Sequence, residues 1–542
     1  MAKRTVFIII LISLFFQYAS SQTYPSNYFR SPLDIPLLLS GTFGELRSNH
    51  FHSGMDIKTQ GTEGKKVYAV ADGYVSRIKV SASGYGKALY ITHPNGYISV
   101  YGHLRYFNDS LQKFIKKLQY KNEKYAVEAY PEKDRFKIKK GDIIAYSGNT
   151  GGSNGPHLHF EIREEASQYP INPLLFKSIK ISDYTRPQIK GLAIYPEDEN
   201  SSVNGSHDTL YIKVEGWGEK HRLSDELPIK LSGNISFGLN CYDKMNEINN
   251  HNGIYQLDLM IDSLKVFGLI MNRLSFSTTR YVNSLIDYAY YENNGSRYIR
   301  TCIDTNNSLF VYRNVKNNGI YNFSDSLKHE MEFVVKDAYG NISSLRFDVV
   351  SDDVMTGKHK KIKRGSSFIF SRPNRIEQDN ISVSFPANSF YKSLDFVFDS
   401  LEKRGDYSAI YKLHNKSVAV QKYFYLSIKP DSAGNAIFPK LYVAYSPDGK
   451  EYRYAGSLKN KKYISAKARL LGYYTLEADT VKPIIKALNI ETGKNVAGQK
   501  TIKMIIKDEE SGIKAYNAYL NGKWVLMEYD AKNDLLVYDF DE

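Results

Sequence analysis

Short runs of alternating apolar and polar residues fill most of this chain, and glycine-, asparagine- or proline-containing turns separate them. Lys66-Val67-Tyr68-Ala69-Val70 and Ala88-Leu89-Tyr90-Ile91-Thr92 are two such runs near the start. Ser382-Val383-Ser384-Phe385-Pro386, Phe424-Tyr425-Leu426-Ser427-Ile428 and Leu535-Leu536-Val537-Tyr538-Asp539 continue the pattern farther along. Period-two runs bounded by turn residues predict strands. One segment breaks the period: Leu111, Phe114, Ile115 and Leu118 recur at helical spacing, and Ser110 is placed to cap them. The chain is therefore expected to be mainly β. An N-terminal antiparallel β domain over residues 22–178 carries one helical insertion, and Ig-like β-sandwich modules follow it.

A repeated pair of motifs sets the later boundaries. Asp183-Tyr-Thr-Arg-Pro-Gln-Ile189 matches Asp479-Thr-Val-Lys-Pro-Ile-Ile485, and Val335-Lys-Asp337-Ala-Tyr-Gly-Asn341 parallels Ile506-Lys-Asp508-Glu-Glu-Ser-Gly512. Each opens or closes strand-like runs, so residues 184–352 and 479–542 read as related Ig-like modules, with a third β-rich module over 360–478. The last has fewer residues than the roughly 100 of such a sandwich, so it is expected to be incomplete.

Lys3 and Arg4 precede an apolar run from Val6 to Phe16, and Ala19-Ser20-Ser21 supplies small residues for cleavage. That layout predicts a signal peptide over 1–21, too short to span a bilayer, and export across the inner membrane. No later run is long enough for a transmembrane helix. The net charge of +14 is spread along the chain without a nucleic-acid-binding motif, so an anionic envelope is the expected charged partner. The only cysteines, Cys241 and Cys302, either pair in an oxidising compartment or stay free.

Histidine changes the picture. Six of the 12 lie between residues 50 and 159. His52-Ser-Gly-Met-Asp56 offers a nitrogen and an oxygen ligand across a turn. In Pro156-His-Leu-His-Phe-Glu-Ile-Arg163, alternation puts His157, His159, Glu161 and Arg163 on one face and Leu158, Phe160 and Ile162 on the other. His50 and His93 read as turn residues. His329-Glu330 begins a zinc-protease motif that Phe333 fails to complete.

With these blocks stand Ala69-Val-Ala-Asp-Gly-Tyr-Val75, Tyr101-Gly-His-Leu104, Lys139 to Gly151, and Asn172-Pro173. In this order they resemble the lysostaphin/LytM-type zinc metallopeptidases, which hydrolyse peptide bonds of bacterial peptidoglycan. The resemblance implies that His52, Asp56 and His159 bind one Zn2+ per catalytic domain. It implies that His103 and His157 are the catalytic histidines and that stem peptides or cross-bridges are the substrate. A non-catalytic protein of the same fold that binds and activates other wall hydrolases is the alternative. The stretch from Arg105 to Phe136 is longer than the family's usual link, and was expected to reshape one wall of the cleft.

Overall fold

The computed structural model describes residues 24–224, 228–246, 248–352 and 365–540. The expected signal peptide lies outside them. The chain is mainly β, as its alternation predicts, and among the described residues the longest helix is Asp109–Asn122. Among the described residues no helix is long and apolar enough to cross a membrane.

The first domain is an antiparallel sheet. Its central order is Leu39–Gly41, Met55–Lys58, His157–Glu164, Tyr97–Phe107, Lys87–Thr92 and Gly73–Val80. Apolar side chains from these strands, among them Ile57, Leu89, Tyr101, Leu158 and Phe160, are fully buried in one core. That core fixes the register. His159 stands opposite Asp56 on one side and Gly102 on the other. A single row across three strands therefore carries the Asp56 and His159 side chains and ends one residue from His103.

The helix starts at Asn108, whose side-chain oxygen accepts from the Leu111 N–H at 3.1 Å. Ser110 is not the cap: its hydroxyl donates to the same Asn108 oxygen. Both residues are good caps, and the one whose backbone is extended takes the role.

Residues 188–351 form a twelve-stranded sheet around a second core. It also contains two short helices, Val282–Leu285 and Tyr288–Asn294, that alternation did not predict. Two five-stranded sheets between Asn374 and Ala478 enclose a third core. A four-stranded sheet runs from Ile484 to Asp539. Cys241 and Cys302 are free thiols, so the disulfide alternative is excluded. Burial pushes their pKa values up to about 12 and about 11.

The later modules pack on the first. Met245 and Leu526 are part of its core. Lys87 Nζ donates to both Glu528 carboxylate oxygens at 2.7 and 2.9 Å, and Trp524 meets Tyr120 edge-on.

His93 is a core histidine. It is 2% exposed, with Nδ1 at 2.8 Å from the Asp72 carbonyl and Nε2 at 2.8 Å from Ser99 Oγ. Burial lowers its pKa to about 4. Above the unfolded value of about 6.5 the ring is neutral in both states and costs nothing. As pH falls from there toward 4, the unfolded chain takes the proton first and the native state loses about 3 kcal/mol. His93→Gln should therefore flatten the fall in stability over that window in denaturant titrations. Parallel pH profiles for the two proteins would disprove this assignment.

Candidate metal centre

The turn Ser53-Gly54 brings His52 and Asp56 to one point because position 54 has room for no side chain. A Cβ on Gly54 would lie 2.3 Å from the Phe160 carbonyl and 2.7 Å from Glu161 Cγ. Gly102 plays a similar part beside His159, where a Cβ would sit 3.3 Å from the histidine's own Cβ. The next residue, His103, is in the left-handed region with φ 57°. Non-glycine residues avoid this conformation, and it coincides with a bulge where the pairing with Lys87–Thr92 shifts register. The bulge turns the His103 ring toward His157, with ring centroids 4.7 Å apart.

His52 Nε2, Asp56 Oδ1 and His159 Nδ1 form a triangle with edges of 3.1, 2.8 and 3.1 Å. His157 Nε2 lies 3.4 Å from the same Asp56 oxygen. Two imidazole nitrogens and one carboxylate oxygen are the donors that zinc takes. Bonds of about 2.0–2.1 Å to a tetrahedral ion would set donor separations of roughly 3.3 Å, so small outward shifts accommodate it. His52, Asp56 and His159 are 3%, 6% and 2% exposed.

Each imidazole is oriented through its outer nitrogen. His52 Nδ1 is 2.8 Å from the Thr42 carbonyl, and His103 Nδ1 is 2.8 Å from the Thr150 carbonyl. His157 Nδ1 lies 2.9 Å from the Gly155 carbonyl, and His159 Nε2 lies 2.8 Å from Glu161 Oε1. Each acceptor takes the outer N–H, so that in the neutral ring the inner nitrogen carries the lone pair. The inner nitrogens of His52, His157 and His159 face Asp56 Oδ1.

The support beneath is charged and buried. Glu161 is fully buried; it accepts from Ser53 Oγ at 2.7 Å, from Arg163 Nε at 2.6 Å, and from Tyr85 Oη. Tyr85 stacks on His159 with centroids 4.8 Å apart. Burial alone would raise the Glu161 pKa, but Arg163 and His159 outweigh it and hold the carboxyl ionised. Burial would lower His159, but the hydrogen bonds to Asp56 and Glu161 hold it at about 9. Burial, with His159 and His157 nearby, lowers His103 to about 3. Asp56 Oδ2 is held by Arg47 at 2.6 Å.

The five residues singled out in the sequence, His52, Asp56, His103, His157 and His159, thus lie together. Glu161 and Arg163 were legible as the same strand face. Tyr85, Thr42, Thr150 and Arg47 carried no local signal. An open groove runs past the centre between Lys58 and the Ser153–His157 turn, and Arg47, Asn250 and Arg297 close its other side. The 105–136 stretch does not line it. Its helix packs on Trp524 instead, because Leu111 and Ile115 turn inward to the domain core. The second module adds Asn250 and Arg297 to a lining that otherwise comes from the first domain.

The profile of peptidase family M23 matches residues 50–120 and 123–173, and that of a Zu5-like domain matches residues 366–479. The chain is 30% identical over 162 residues to an uncharacterized metalloprotease of Haemophilus influenzae, covering 29% of this chain and 28% of that one. It is 30% identical over 129 residues to the DD-carboxypeptidase/endopeptidase Mpg of Neisseria meningitidis, covering 24% and 23%. It is 32% identical over 135 residues to the murein hydrolase activator NlpD of Escherichia coli, covering 25% and 28%. The match therefore spans less than a third of each relative's length. Among solved structures, the catalytic domain of the prophage-encoded M23 protein EnpA from Enterococcus faecalis is 23% identical with a TM-score of 0.20, covering 27% of this chain and 95% of that one.

Proposed function

We propose that the N-terminal domain, which belongs to peptidase family M23, is a zinc-dependent endopeptidase that cuts peptide bonds of bacterial peptidoglycan in the periplasm or outside the cell. One observation carries this reading: His52, His157 and His159 are each tied down at the outer nitrogen and hold the inner one 3.1, 3.4 and 2.8 Å from the same Asp56 oxygen, with the Thr150-bound His103 ring beside His157. His52, Asp56 and His159 hold one zinc ion. Bound there, zinc supplies a Lewis acid that polarises a carbonyl and eases the ionisation of water.

The remaining two histidines do the proton work. His103 stays neutral at working pH because burial and its histidine neighbours disfavour its charge. With Nδ1–H given to Thr150, its Nε2 is free to accept a proton from the attacking water. His157, anchored by Gly155 and Ser153, presents Nε2 across the same point. Once one of the pair carries the proton, it can donate to the oxyanion or the leaving amine. Lys58 and Arg297 along the groove suit a substrate with free carboxylates.

Glu161 positions His159 and does not touch substrate. Glu161→Gln keeps the shape but removes the charge that fixes the imidazole and neutralises Arg163. Zinc affinity should fall by about 10- to 100-fold in competition with a chromophoric chelator. Unchanged affinity would show that the carboxylate serves only the fold.

The similarity to a murein hydrolase activator favours a second reading, in which the domain binds the wall without cutting it. Zinc content and peptide release from purified peptidoglycan, measured on the full chain, separate the two. About one zinc per chain and peptide release by the protein alone support the peptidase. Intact peptidoglycan, with faster digestion once a wall hydrolase is added, establishes the activator.

A further inference from the structure

A second group of carboxylates lies away from the histidine centre. Asp183 is in the segment that leaves the first domain. Asp243 follows the strand Ile229–Tyr242, and Asp337 opens the turn between Lys328–Lys336 and Ile342–Ser351. They are 6%, 4% and 3% exposed, and their carboxylate oxygens lie within 4.8 Å of one another. Among the described residues no lysine or arginine pairs with any of them.

Several of their hydrogen-bonding positions are filled from the backbone. Thr185 N–H donates to Asp183 Oδ1, and the Tyr339 and Asn341 N–H groups donate to Asp337 Oδ1. Asn341 Nδ2 donates to Asp337 Oδ2 at 2.6 Å. Asp183 Oδ2 and Asp243 Oδ1 are buried with no partner. A separate side chain points to the same deficit. Asn252 is 2% exposed, and neither atom of its amide has a partner. Asp243 and Asn252 face each other across a two-residue bridge with reciprocal N–H···O bonds of 2.9 Å. Directly opposed residues project to one face, so the Asn252 amide stands beside the Asp243 carboxylate. Tyr242 and His251, the alternate residues, stack on the other side with centroids 3.7 Å apart.

We infer that Asp183, Asp243, Asp337 and the Asn252 side-chain oxygen form a calcium site. All four donors are hard oxygens, two of them from the connection between Ile229–Tyr242 and Gln256–Ile261, which suits calcium better than a transition metal. Three buried carboxylates cannot all remain ionised at this spacing without a cation.

The sequence repeat supplies an internal control. Asp479 and Asp508 occupy the matching motif positions near the end of the chain. There Ser511 Oγ donates to Asp479, and Glu510 holds the Thr480 N–H at 2.7 Å. That copy satisfies its linker with a hydroxyl, and among the described residues no group of three metal-ligating side chains gathers there.

The test is calcium titration of the full chain by calorimetry, together with thermal melting in EDTA and in excess CaCl2. One calcium should bind with a Kd of about 10⁻⁴–10⁻³ M, and the melting transition should rise by roughly 3–10 °C. Asp243→Asn should abolish both effects while melting no lower than wild type in EDTA, because it relieves carboxylate repulsion. Should that variant fail to fold, Asp337→Asn should lose the binding in the same way. Asp479→Asn and His159→Ala should keep the calcium response, which separates this site from the histidine centre. No calcium-dependent rise in the wild type, or a rise that survives both Asp243→Asn and Asp337→Asn, would overturn the inference.

Discussion

Purified full-length protein carrying His159→Ala is expected to retain no zinc after dialysis and to release no peptide from peptidoglycan. The substitution removes one of three donors and also the acceptor-bound ring that links Asp56 to Glu161. The loss of affinity should exceed the 10- to 100-fold that outer-shell changes give. The fold should survive, because Leu158, Phe160 and Ile162 on the opposite face of the strand stay fully buried. An unchanged far-UV circular dichroism spectrum beside the lost metal would establish this. A His159→Ala protein that keeps zinc would remove the metal centre from the assignment.

The second large effect is expected at His103. His103→Ala should bind zinc as the wild type does and digest peptidoglycan about 10²–10⁴ times more slowly. The ring is no member of the 2.8–3.1 Å donor triangle, so metal content should not change. It does hold the Thr150 carbonyl, so some loosening of the glycine-rich turn before His157 is expected as well. His103→Asn helps here, since asparagine tolerates the left-handed backbone at φ 57°. Full activity in either variant would assign the proton transfers to another group.

The sequence carried much of this site because its parts are local. A turn of five residues and a strand of alternating residues each display their ligands within one element, and period-two alternation reports which side chains share a face. It also placed Glu161 and Arg163 beside His159 before any partner was known. What stayed hidden depends on distant chain. Arg47 reaches Asp56 from another turn. Thr42 holds His52 while its own hydroxyl accepts the Gly253 N–H at 3.0 Å, more than 200 residues away. No pattern near either residue encodes that. The positive φ of His103 was equally invisible, because histidine gives no composition signal for a bulge. The expectation that residues 105–136 shape the groove failed for a related reason. The apolar stripe of the helix does specify an inward face, but which surface the outer face meets is decided by Trp524 and its neighbours near the other end of the chain.

Leu526 sits in the core of the first domain, and Glu528 covers the buried Lys87 ammonium. The packing of the first domain is therefore whole only when a segment 441 residues beyond Lys87 has docked against it. Its half-life against proteolysis should be set by whether that distal segment is docked. Such coupling ties the lifetime of the histidine-lined centre to a contact between two stretches of chain far apart in sequence.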